Sequence, residues 1–380
     1  MEKGDVKKAS SLMMCAVFVG FLLFFAVGYI ALQPDSVSYF ENRTLAPRPS
    51  LTFDSLKDGT FAEDTEKYLS DHIVMRNALV TLSTEMNYFL GKRSLRSVYY
   101  GSGGRLFLKY FRNDSAVTRL CKEYNAFAEK TDVPIDYILV PSAGMIYSDQ
   151  LPAGTDCVSC EEQEIELIKQ GLDSRINLIC PLDALRQLAD SGVKTYLNTD
   201  HHWTVHGAKA VMEYYLNSIG RPLRKVDYKK ESISGYYGPM FANFPSYSIA
   251  AEDVEYLSDP EGKYTVEQPF TGETDDKLFY TKYMLEWYKY GVFLDGDKGY
   301  IHIHSENAPE GSIMVIKDSF GLAFMTLLAD QYRDIYAVDV RHYDKSRESI
   351  SQLTREVGAE RVLIVNMTYS IINSEMFGLS

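Results

Sequence analysis

The pattern of apolar and polar positions divides the chain into an apolar N-terminal segment and a long region in which two periodicities alternate. Short apolar runs that end in turns, as buried parallel strands do, are followed by segments with helical spacing. The predicted strands are residues 135–141, 192–197, 312–316, 335–340 and 361–365. The predicted helices between them are about 161–169, 181–190, 204–219, 321–331 and 346–357. This alternation predicts an α/β domain with a mostly parallel sheet flanked by helices.

One stretch, at about 225–304, breaks this alternation. It is rich in Tyr, Phe, Ser and Gly and contains strand-like pieces at 254–257, 263–266 and 300–304. We interpret it as an irregular or β-rich insertion at the mouth of the sheet, where it would contact the substrate. An ordinary connecting subdomain is the alternative.

The N-terminal segment has the composition of a membrane anchor. No charged residue occurs from Ala9 to Pro34, and a helix needs about 20 apolar residues to cross a bilayer. Lys3, Lys7 and Lys8 precede the segment, which predicts a cytoplasmic N-terminus and an extracytoplasmic main domain. A cleaved signal peptide is the alternative, but its apolar region is normally only about 7–15 residues long. We therefore expect a single-pass signal anchor in the cell membrane.

The predicted domain organisation follows from this anchor and from the prolines after it. Pro34, Pro47 and Pro49 prevent a continued helix, and helical spacing returns from 61 to 90. We expect a cytoplasmic tail (1–8), a transmembrane anchor (9–33), a stem with membrane-proximal helices (34–97) and the α/β domain (98–380).

Charge and cysteine usage limit the function classes. The formal net charge of −13 argues against binding nucleic acid through a basic surface, so we predict no nucleic-acid partner. Cys121, Cys157, Cys160 and Cys180 lie outside the apolar segment, and an oxidising compartment would permit disulfides of undetermined pairing. For Cys157 and Cys160 we favour a surface-loop disulfide over a redox role.

A carboxylate, an imidazole and a hydroxyl are the chemical candidates. Asp200 and His202 are two positions apart, and a carboxylate bonded to one ring nitrogen leaves the other nitrogen free as a base. Ser319 follows a predicted strand directly, as the other two do. Because the carboxyl ends of parallel strands share one edge of a sheet, we expect the three side chains to form a Ser-His-Asp triad.

Each candidate also has a simpler explanation. Ser319 would serve equally as a helix N-cap. A metal could instead bind to Asp200, His201, His202 and His206, and His302 and His304 on a predicted strand could be additional ligands or surface residues. Histidines four apart on a helix, such as His202 and His206, can share one ion, but His202 lies at the start of the helix and no third or fourth ligand is evident beside this pair. We therefore predict no metal and no other cofactor.

Three motifs resemble those of a known family. The tetrapeptide Asp200–Trp203 resembles the name-giving motif of the DHHW protein family, which is similar to the SGNH-hydrolase-like acetyltransferases of alginate O-acetylation. The tripeptide Asp318–Phe320 resembles their later Gly-Asp-Ser-Phe motif, with Lys317 in place of the glycine. Glu41-Asn42-Arg43 resembles the signature that follows the anchor in this family.

The resemblance implies a fold, roles and an activity. The fold would be SGNH-hydrolase-like, with Ser319 as nucleophile, His202 as base and Asp200 as its orienting acid. Arg341 and Tyr369 would bind substrate or the oxyanion. The activity would be extracytoplasmic transfer of an acetyl group, through an acyl-enzyme on the serine, to hydroxyls of a cell-surface or exported polysaccharide. A multi-pass membrane O-acyltransferase would supply the acyl group. A carbohydrate acetylesterase with the same triad, or a non-catalytic glycan-binding or assembly protein, are the alternatives.

Overall fold

The computed structural model describes residues 3–31, 35–38, 40, 41, 43–344, 346–372 and 379. The chain forms two compact units, one of residues 1–91 with 245–247 and the other of residues 92–244 with 248–380. The first unit contains the apolar helix, and the second contains every residue of the predicted triad.

The first unit is helical. Its elements are α1 (Lys3–Ala31), β1 (Val37–Ser38), β2 (Arg43–Thr44), α2 (Phe53–Asp58), α3 (Thr60–Asp71) and α4 (Arg76–Phe89). Within α1, the segment Lys8–Tyr29 is long and apolar enough to cross a membrane, which confirms the predicted N-terminal apolar helix. Residues 32 and 33 of the predicted anchor lie outside the described residues.

The signature after the anchor is described only in part, because Asn42 lies outside the described residues. Its neighbour Arg43 donates to Glu41 at 3.1 Å and to Asp71 at 2.9 Å. The hydrogen bonds from Arg43 lower the pKa of Asp71 to about 2. This ion pair joins β2 to the end of α3.

The second unit is an α/β domain. Its first elements are β3 (Ser94–Leu95), β4 (Val98–Tyr100), β5 (Leu106–Leu108), α5 (Asp114–Glu129), β6 (Ile135–Val140), α6 (Ala143–Ile146), α7 (Cys157–Gly171), β7 (Ile176–Ile179), α8 (Leu182–Asp190) and α9 (Val205–Ser218). The later elements are β8 (Lys229–Tyr236), β9 (Glu252–Ser258), β10 (Tyr264–Gln268), β11 (Glu273–Asp275), β12 (Tyr300–Ser305), β13 (Ser312–Lys317), α10 (Gly321–Leu328), β14 (Asp334–Asp339), α11 (Ile350–Glu356), β15 (Val362–Met367) and α12 (Thr368–Ile372).

An eight-stranded sheet in the order β11-β10-β12-β14-β13-β15-β6-β7 forms the centre of the domain. Neighbours from β14 to β7 are parallel, while β12, β10 and β11 add antiparallel strands beside β14. The α/β class with a flanked, largely parallel sheet is confirmed. Its carboxyl-end edge positions the candidate site, since β13 and β15 end there side by side.

Helices cover both faces of the parallel part of the sheet, as the alternating side chains of its strands require. In β15, Leu363 and Val365 pack in the core that contains α8, α9 and α10. Val362 and Ile364 point the other way, into the core with α5, α7 and α11. The strands are therefore apolar on both sides, which explains their continuous apolar runs.

One predicted strand is wrong. Residues 192–197 form no strand, and the parallel edge position belongs instead to β7. The backbone of the segment is used locally: Leu197 N donates to His202 O at 3.0 Å, and Thr204 N donates to Thr195 O at 2.8 Å. Only an isolated bridge between Tyr196 and Trp203 remains. These bonds make residues 195–204 a closed loop, here called the histidine loop.

The insertion is divided between two structures. Strands β8 and β9 form their own antiparallel pair, whereas β10, β11 and β12 extend the main sheet. The three predicted strand-like pieces are thus strands, but part of the insertion continues the sheet instead of lying at its mouth.

The predicted surface-loop disulfide is absent. All five cysteines are free thiols, and Cys157 and Cys160 occupy the start of α7. Burial raises the pKa of both thiols, which disfavours the reactive thiolate. Cys157 is buried in the core and unavailable to a surface bridge.

Candidate active site

The histidine loop presents His202 from a closed turn just before α9. The Thr204 side chain caps this helix by accepting a hydrogen bond from Gly207 N at 3.2 Å. A cap and a closed loop hold the backbone on both sides of His202, so little conformational freedom remains to its ring.

Ser319 lies in the turn between β13 and α10, here called the serine turn (residues 318–320). Asp318 holds this turn: one carboxylate oxygen accepts from Phe320 N at 2.9 Å, and the other accepts from Met367 N at 2.8 Å and Ser370 Oγ at 2.6 Å. Burial raises the pKa of Asp318 to about 6. Neither Asp318 nor Ser319 caps α10, whose preceding residue Phe320 makes no side-chain cap bond.

The three predicted triad residues form one chain of hydrogen bonds. Ser319 Oγ lies 2.8 Å from His202 Nε2, and His202 Nδ1 lies 2.8 Å from Asp200 Oδ1. Asp200 Oδ2 accepts from the hydroxyl of Tyr236. Asp200 and His202 are buried, whereas Ser319 is partly exposed. The acid and the imidazole are thus enclosed, and only the hydroxyl faces outward.

The surroundings favour a neutral imidazole beside an ionised acid. Burial lowers the pKa of His202 below its ordinary value, although the charge of Asp200 acts in the opposite direction. Burial acts to raise the pKa of Asp200, but the charges and hydrogen bonds of His202 and His201 outweigh it and hold the pKa well below its usual range. With Nδ1–H donated to Asp200, Nε2 is free to accept the Ser319 proton.

Aromatic side chains enclose the imidazole. The His202 ring stacks on Tyr290 with a centroid distance of 4.1 Å, and it also contacts Phe320 at 5.1 Å. Trp203 Nε1 donates to the carbonyl of Phe320 at 3.1 Å. This last bond connects the histidine loop to the serine turn across 117 positions of sequence.

A glycine of the insertion allows its backbone to approach Asp200. A Cβ atom at Gly238 would lie 2.5 Å from Asp200 Cβ and 2.6 Å from Thr199 O. Gly238 N instead donates to Thr199 Oγ1 at 2.9 Å. The insertion therefore forms part of the wall around the acid.

A cavity of about 390 Å³ opens beside Ser319. Its lining comes from the sheet edge, the histidine loop and the insertion and consists of Leu108, His201, His202, Pro239, Met240, Asn243, Tyr288, Asp297, Ser319, Arg341, Met367, Tyr369 and Ser370. Arg341 and Tyr369 thus share this cavity with the triad. Its volume is that of a small-molecule site.

Arg341 belongs to a network of four charged groups. It donates to Asp339 Oδ1 at 2.8 Å and pairs with Asp297 Oδ2 at 2.9 Å. Lys317 Nζ pairs with the same two acids, at 2.6 Å to Asp297 and 3.1 Å to Asp339. Burial alone would raise the pKa of Asp339, but the bonds and charges of Arg341 and Lys317 lower it.

This network explains the lysine that stands where the related motif has glycine. The Lys317 side chain leaves the serine turn and is 2% exposed. Gly321 makes room for it, because a Cβ there would lie 2.6 Å from Lys317 Cβ. The added charge is therefore neutralised inside the fold and does not enter the cavity as a free cation.

One of the ligands considered for a metal beside Asp200, His206, does not lie with the others. His206 Nε2 bonds Glu255 at 2.7 Å and belongs to no donor group with Asp200. Asp200, His201 and His202 do lie close enough to share an ion. An ion among them would have to displace the hydrogen bonds that join His202 to Asp200 and to Ser319.

A family model describes part of this domain. The model of the DHHW protein family matches residues 182–338, a range that contains Asp200, His202 and Ser319. The predicted resemblance to the DHHW family is confirmed. No curated protein matches the sequence.

Several solved structures are similar to this chain in fold. A DHHW family protein from Eubacterium siraeum aligns with a TM-score of 0.62 and 23% identity, covering 74% of this chain and 97% of that one. Bacillus cereus PatB1 aligns with a TM-score of 0.60 and 19% identity, covering 74% and 99%. PatB1 with a sulfonyl adduct gives 0.57 and 20%, covering 70% and 93%. At these identities the alignments establish a shared fold.

Several residues of the candidate site lie outside the motifs that the sequence shows. Tyr236, Tyr290 and Asp297 all come from the insertion, whose aromatic richness was the only signal for the two tyrosines. Nothing in the spacing of Asp297 indicates that it meets Lys317 and Arg341.

Proposed function

We propose that this protein is an extracytoplasmic O-acetyltransferase that moves an acetyl group through a Ser319 acyl-enzyme to hydroxyls of a cell-surface or exported polysaccharide. The observation that carries the proposal is the hydrogen-bonded chain Ser319–His202–Asp200, with its only exposed member at a cavity. The match to the DHHW family model is consistent with this reading.

In the first step, His202 Nε2 takes the proton of Ser319 while Oγ attacks the carbonyl carbon of the acetyl donor. Asp200 stabilises the resulting imidazolium through its bond to Nδ1. The tetrahedral intermediate collapses, the bond from the carbonyl carbon to the donor breaks, and the leaving group receives the proton from His202. The enzyme is left as an acetyl ester of Ser319.

The negative charge of the intermediate needs stabilising groups in the cavity. We assign this role, or that of holding the substrate, to Arg341 and Tyr369, which line the cavity with Ser319. The dipole of α10, which begins just after the serine turn, also favours negative charge at this end of the helix. Asp297 and Asp339 fix the guanidinium of Arg341 and so limit its movement.

In the second step, a sugar hydroxyl attacks the acetyl-enzyme. His202 Nε2 removes its proton, the new ester forms on the sugar, and Ser319 Oγ leaves and recovers the proton. The insertion contributes Pro239, Met240 and Tyr288 to the cavity, where apolar and aromatic surfaces are suited to the face of a sugar ring.

The anchor defines the proposed cellular setting. The apolar helix is long enough to cross a membrane once, and Lys3, Lys7 and Lys8 favour a cytoplasmic N-terminus. The catalytic domain would then lie outside. The family resemblance implies a multi-pass membrane O-acyltransferase as the supplier of the acyl group.

A carbohydrate acetylesterase is the second candidate, favoured by the partial exposure of Ser319. If water reaches the acetyl-enzyme before a sugar does, the same triad hydrolyses esters. Incubation with a chromogenic acetyl ester and a glycan acceptor separates the two: mass spectrometry detects acetylated glycan from a transferase and only free acetate from an esterase.

The test of the common first step is the acetylation state of Ser319. The full-length protein in detergent is exposed to the acetyl ester, quenched and digested, and we expect one acetyl group on the peptide that contains Ser319. Ser319→Ala should lose turnover by several powers of ten, as nucleophile knockouts do, whereas Ser346→Ala, which changes an exposed serine outside the cavity lining, should retain it. Full activity of Ser319→Ala in polysaccharide modification would instead support a non-catalytic glycan-binding or assembly role.

A further inference from the structure

Strand β12 carries two histidines on the surface of the antiparallel part of the sheet. His302 and His304 are two positions apart and share one face, while Ile301 and Ile303 point into the core. His304 is opposite Asp334 of β14, and His302 is opposite Glu267 of β10. Three adjacent strands thus bring two imidazoles and two carboxylates together.

The donor atoms of this cluster converge on one carboxylate oxygen. Asp334 Oδ1 lies 2.8 Å from His302 Nε2 and 2.8 Å from His304 Nδ1. On its other side, His302 Nδ1 lies 3.2 Å from Glu267 Oε2. The ring of His302 stacks on Tyr336 at 4.4 Å, which fixes its plane.

A neutral His302 has too few N–H groups to donate a hydrogen bond in both contacts. A neutral imidazole has one N–H, so a neutral His302 donates to Glu267 or to Asp334 but not to both. The other nitrogen then directs its lone pair at a carboxylate oxygen. Only an added positive charge, a second proton or a metal ion, makes both contacts favourable.

Neither carboxylate pairs with a cation other than these histidines in the part of the chain that the structure describes. Among the described residues, Asp334 forms ion pairs only with His302 and His304, and Glu267 only with His302. By contrast, Glu255, the partner of His206, also binds Lys230. The uncompensated charge at Asp334 and Glu267 therefore attracts a cation from solvent.

We propose that His302 Nε2, His304 Nδ1 and Asp334 form a binding site for a divalent transition-metal ion, with zinc as its best match. The three residues offer donor atoms within 4.8 Å of one another, and a zinc ion with bonds of about 2.0–2.1 Å would draw them to about 3.4 Å, the separation of two ligands in a tetrahedral site. Imidazole and carboxylate ligands suit this ion. No residue of this site belongs to the proposed triad.

Glu267 acts in this site as an orienting group. By accepting Nδ1–H it leaves the Nε2 lone pair of His302 directed at the ion, as carboxylate partners of zinc-bound histidines commonly do. Three protein ligands leave one position of a tetrahedral ion open to water. The ligands are partly exposed, with His302 18% and His304 40% accessible, so an ion can enter from solvent.

The bound ion would fasten three strands together. His302 and His304 come from β12, Asp334 from β14 and the orienting Glu267 from β10. Binding to the folded state alone stabilises a protein, so zinc should raise the melting temperature.

The test is a zinc titration of the full-length protein in detergent after treatment with a chelator. We expect the wild-type protein to bind an ion that the double variant H302A/H304A does not bind, measured by calorimetry and by the visible spectrum of cobalt as a substitute. Glu267→Gln should weaken binding about 10- to 100-fold. His206→Ala is the matched control, because it removes another partly exposed imidazole that contacts a carboxylate, and it should leave binding unchanged.

Two results would overturn the proposal. One is wild-type protein that binds no zinc at concentrations of about 100 μM, far above the range of structural sites; protonation would then be the charge that satisfies His302. The other is binding that survives H302A/H304A but disappears in His201→Ala, which would place the ion beside Asp200. Circular dichroism of each variant verifies folding, and the single variant His304→Gln repeats the test with a smaller change.

Discussion

Two clusters in this domain combine imidazole with carboxylate, and they differ chiefly in their surroundings. In the first, His202 is 3% exposed and is in contact with Tyr290 and Phe320. In the second, His302 and His304 lie on the surface of the sheet, where Tyr336 stacks on the ring of His302. The same functional groups are thus enclosed in one place and open to solvent in the other.

The difference shows how burial assigns separate tasks to the same chemistry. In the enclosed cluster each imidazole nitrogen of His202 has one partner, Asp200 or Ser319, which defines a path for a proton. In the open cluster two imidazoles approach a single oxygen of Asp334 and no hydroxyl completes the chain. The first arrangement suits proton transfer, and the second suits a cation.

The largest expected effect distinguishes Asp200 of the enclosed cluster from Asp334 of the open cluster. Asp200→Asn should lower the rate of Ser319 acetylation about 10⁴-fold, because an amide selects the wrong tautomer of the imidazole. The rate is measured with a chromogenic ester. Asp334→Asn is the matched change in the open cluster and should leave the rate unaltered; equal losses from both substitutions would refute the separation of tasks.

The next effect concerns the charges that surround the enclosed cluster. Lys317→Met leaves Asp297 and Asp339 short of one buried partner, and breaking a buried ion pair costs about 3–5 kcal/mol. Urea unfolding of the full-length protein measures the loss. Lys209→Met removes a partly exposed ion pair with Glu213 on one helix and should cost no more than about 0.5 kcal/mol. Similar losses for both variants would contradict the buried network.

A third effect tests burial through pH. Glu161 is buried and accepts from Ser142 N at 2.7 Å and Thr368 Oγ1 at 2.6 Å, and burial raises its pKa to about 7 from 4.5. Because the folded-state pKa is raised, this group stabilises the fold below about pH 4.5, and the contribution disappears as the pH rises through 7.

Comparison with Glu161→Gln isolates this contribution. The stability of the wild-type protein relative to the variant should be about 3 kcal/mol greater at pH 4.5 than at pH 8. Chemical denaturation at several pH values provides the difference. A constant difference across this range would mean that Glu161 titrates as an exposed acid.

The smallest expected effect is on the free energy of unfolding when a residue of the open cluster is changed and no metal is bound. After chelation, Asp334→Asn should change the free energy of unfolding by less than about 1 kcal/mol, since partly exposed ion pairs contribute little. Thermal or urea unfolding in chelator measures it. A loss of several kcal/mol would show that Asp334 is as essential to the fold as the enclosed carboxylates.

The sequence predicted the central fold because its signals were local and strong. Strands β6, β13, β14 and β15 are short, mainly apolar runs, which are typical of buried parallel strands. Strand β7 was missed because it has only four residues and includes the exposed Asn177. The segment at 192–197 resembles a strand in composition, but its backbone bonds serve the histidine loop.

The candidate site was predictable where motif and topology agreed. Asp200 and His202 are adjacent in sequence, and Ser319 ends a strand, so their meeting required only a shared sheet edge. The contacts of Lys317 with Asp297 and Asp339 depend on three separate segments. No periodicity encodes such long-range pairs, and only the folded chain brings them together.

The hydrogen bond from Trp203 to the carbonyl of Phe320 also affects the spacing of the base and the nucleophile. It joins the segment that carries His202 directly to the segment that carries Ser319. The distance between His202 Nε2 and Ser319 Oγ is then restrained by a contact that involves no residue of the insertion.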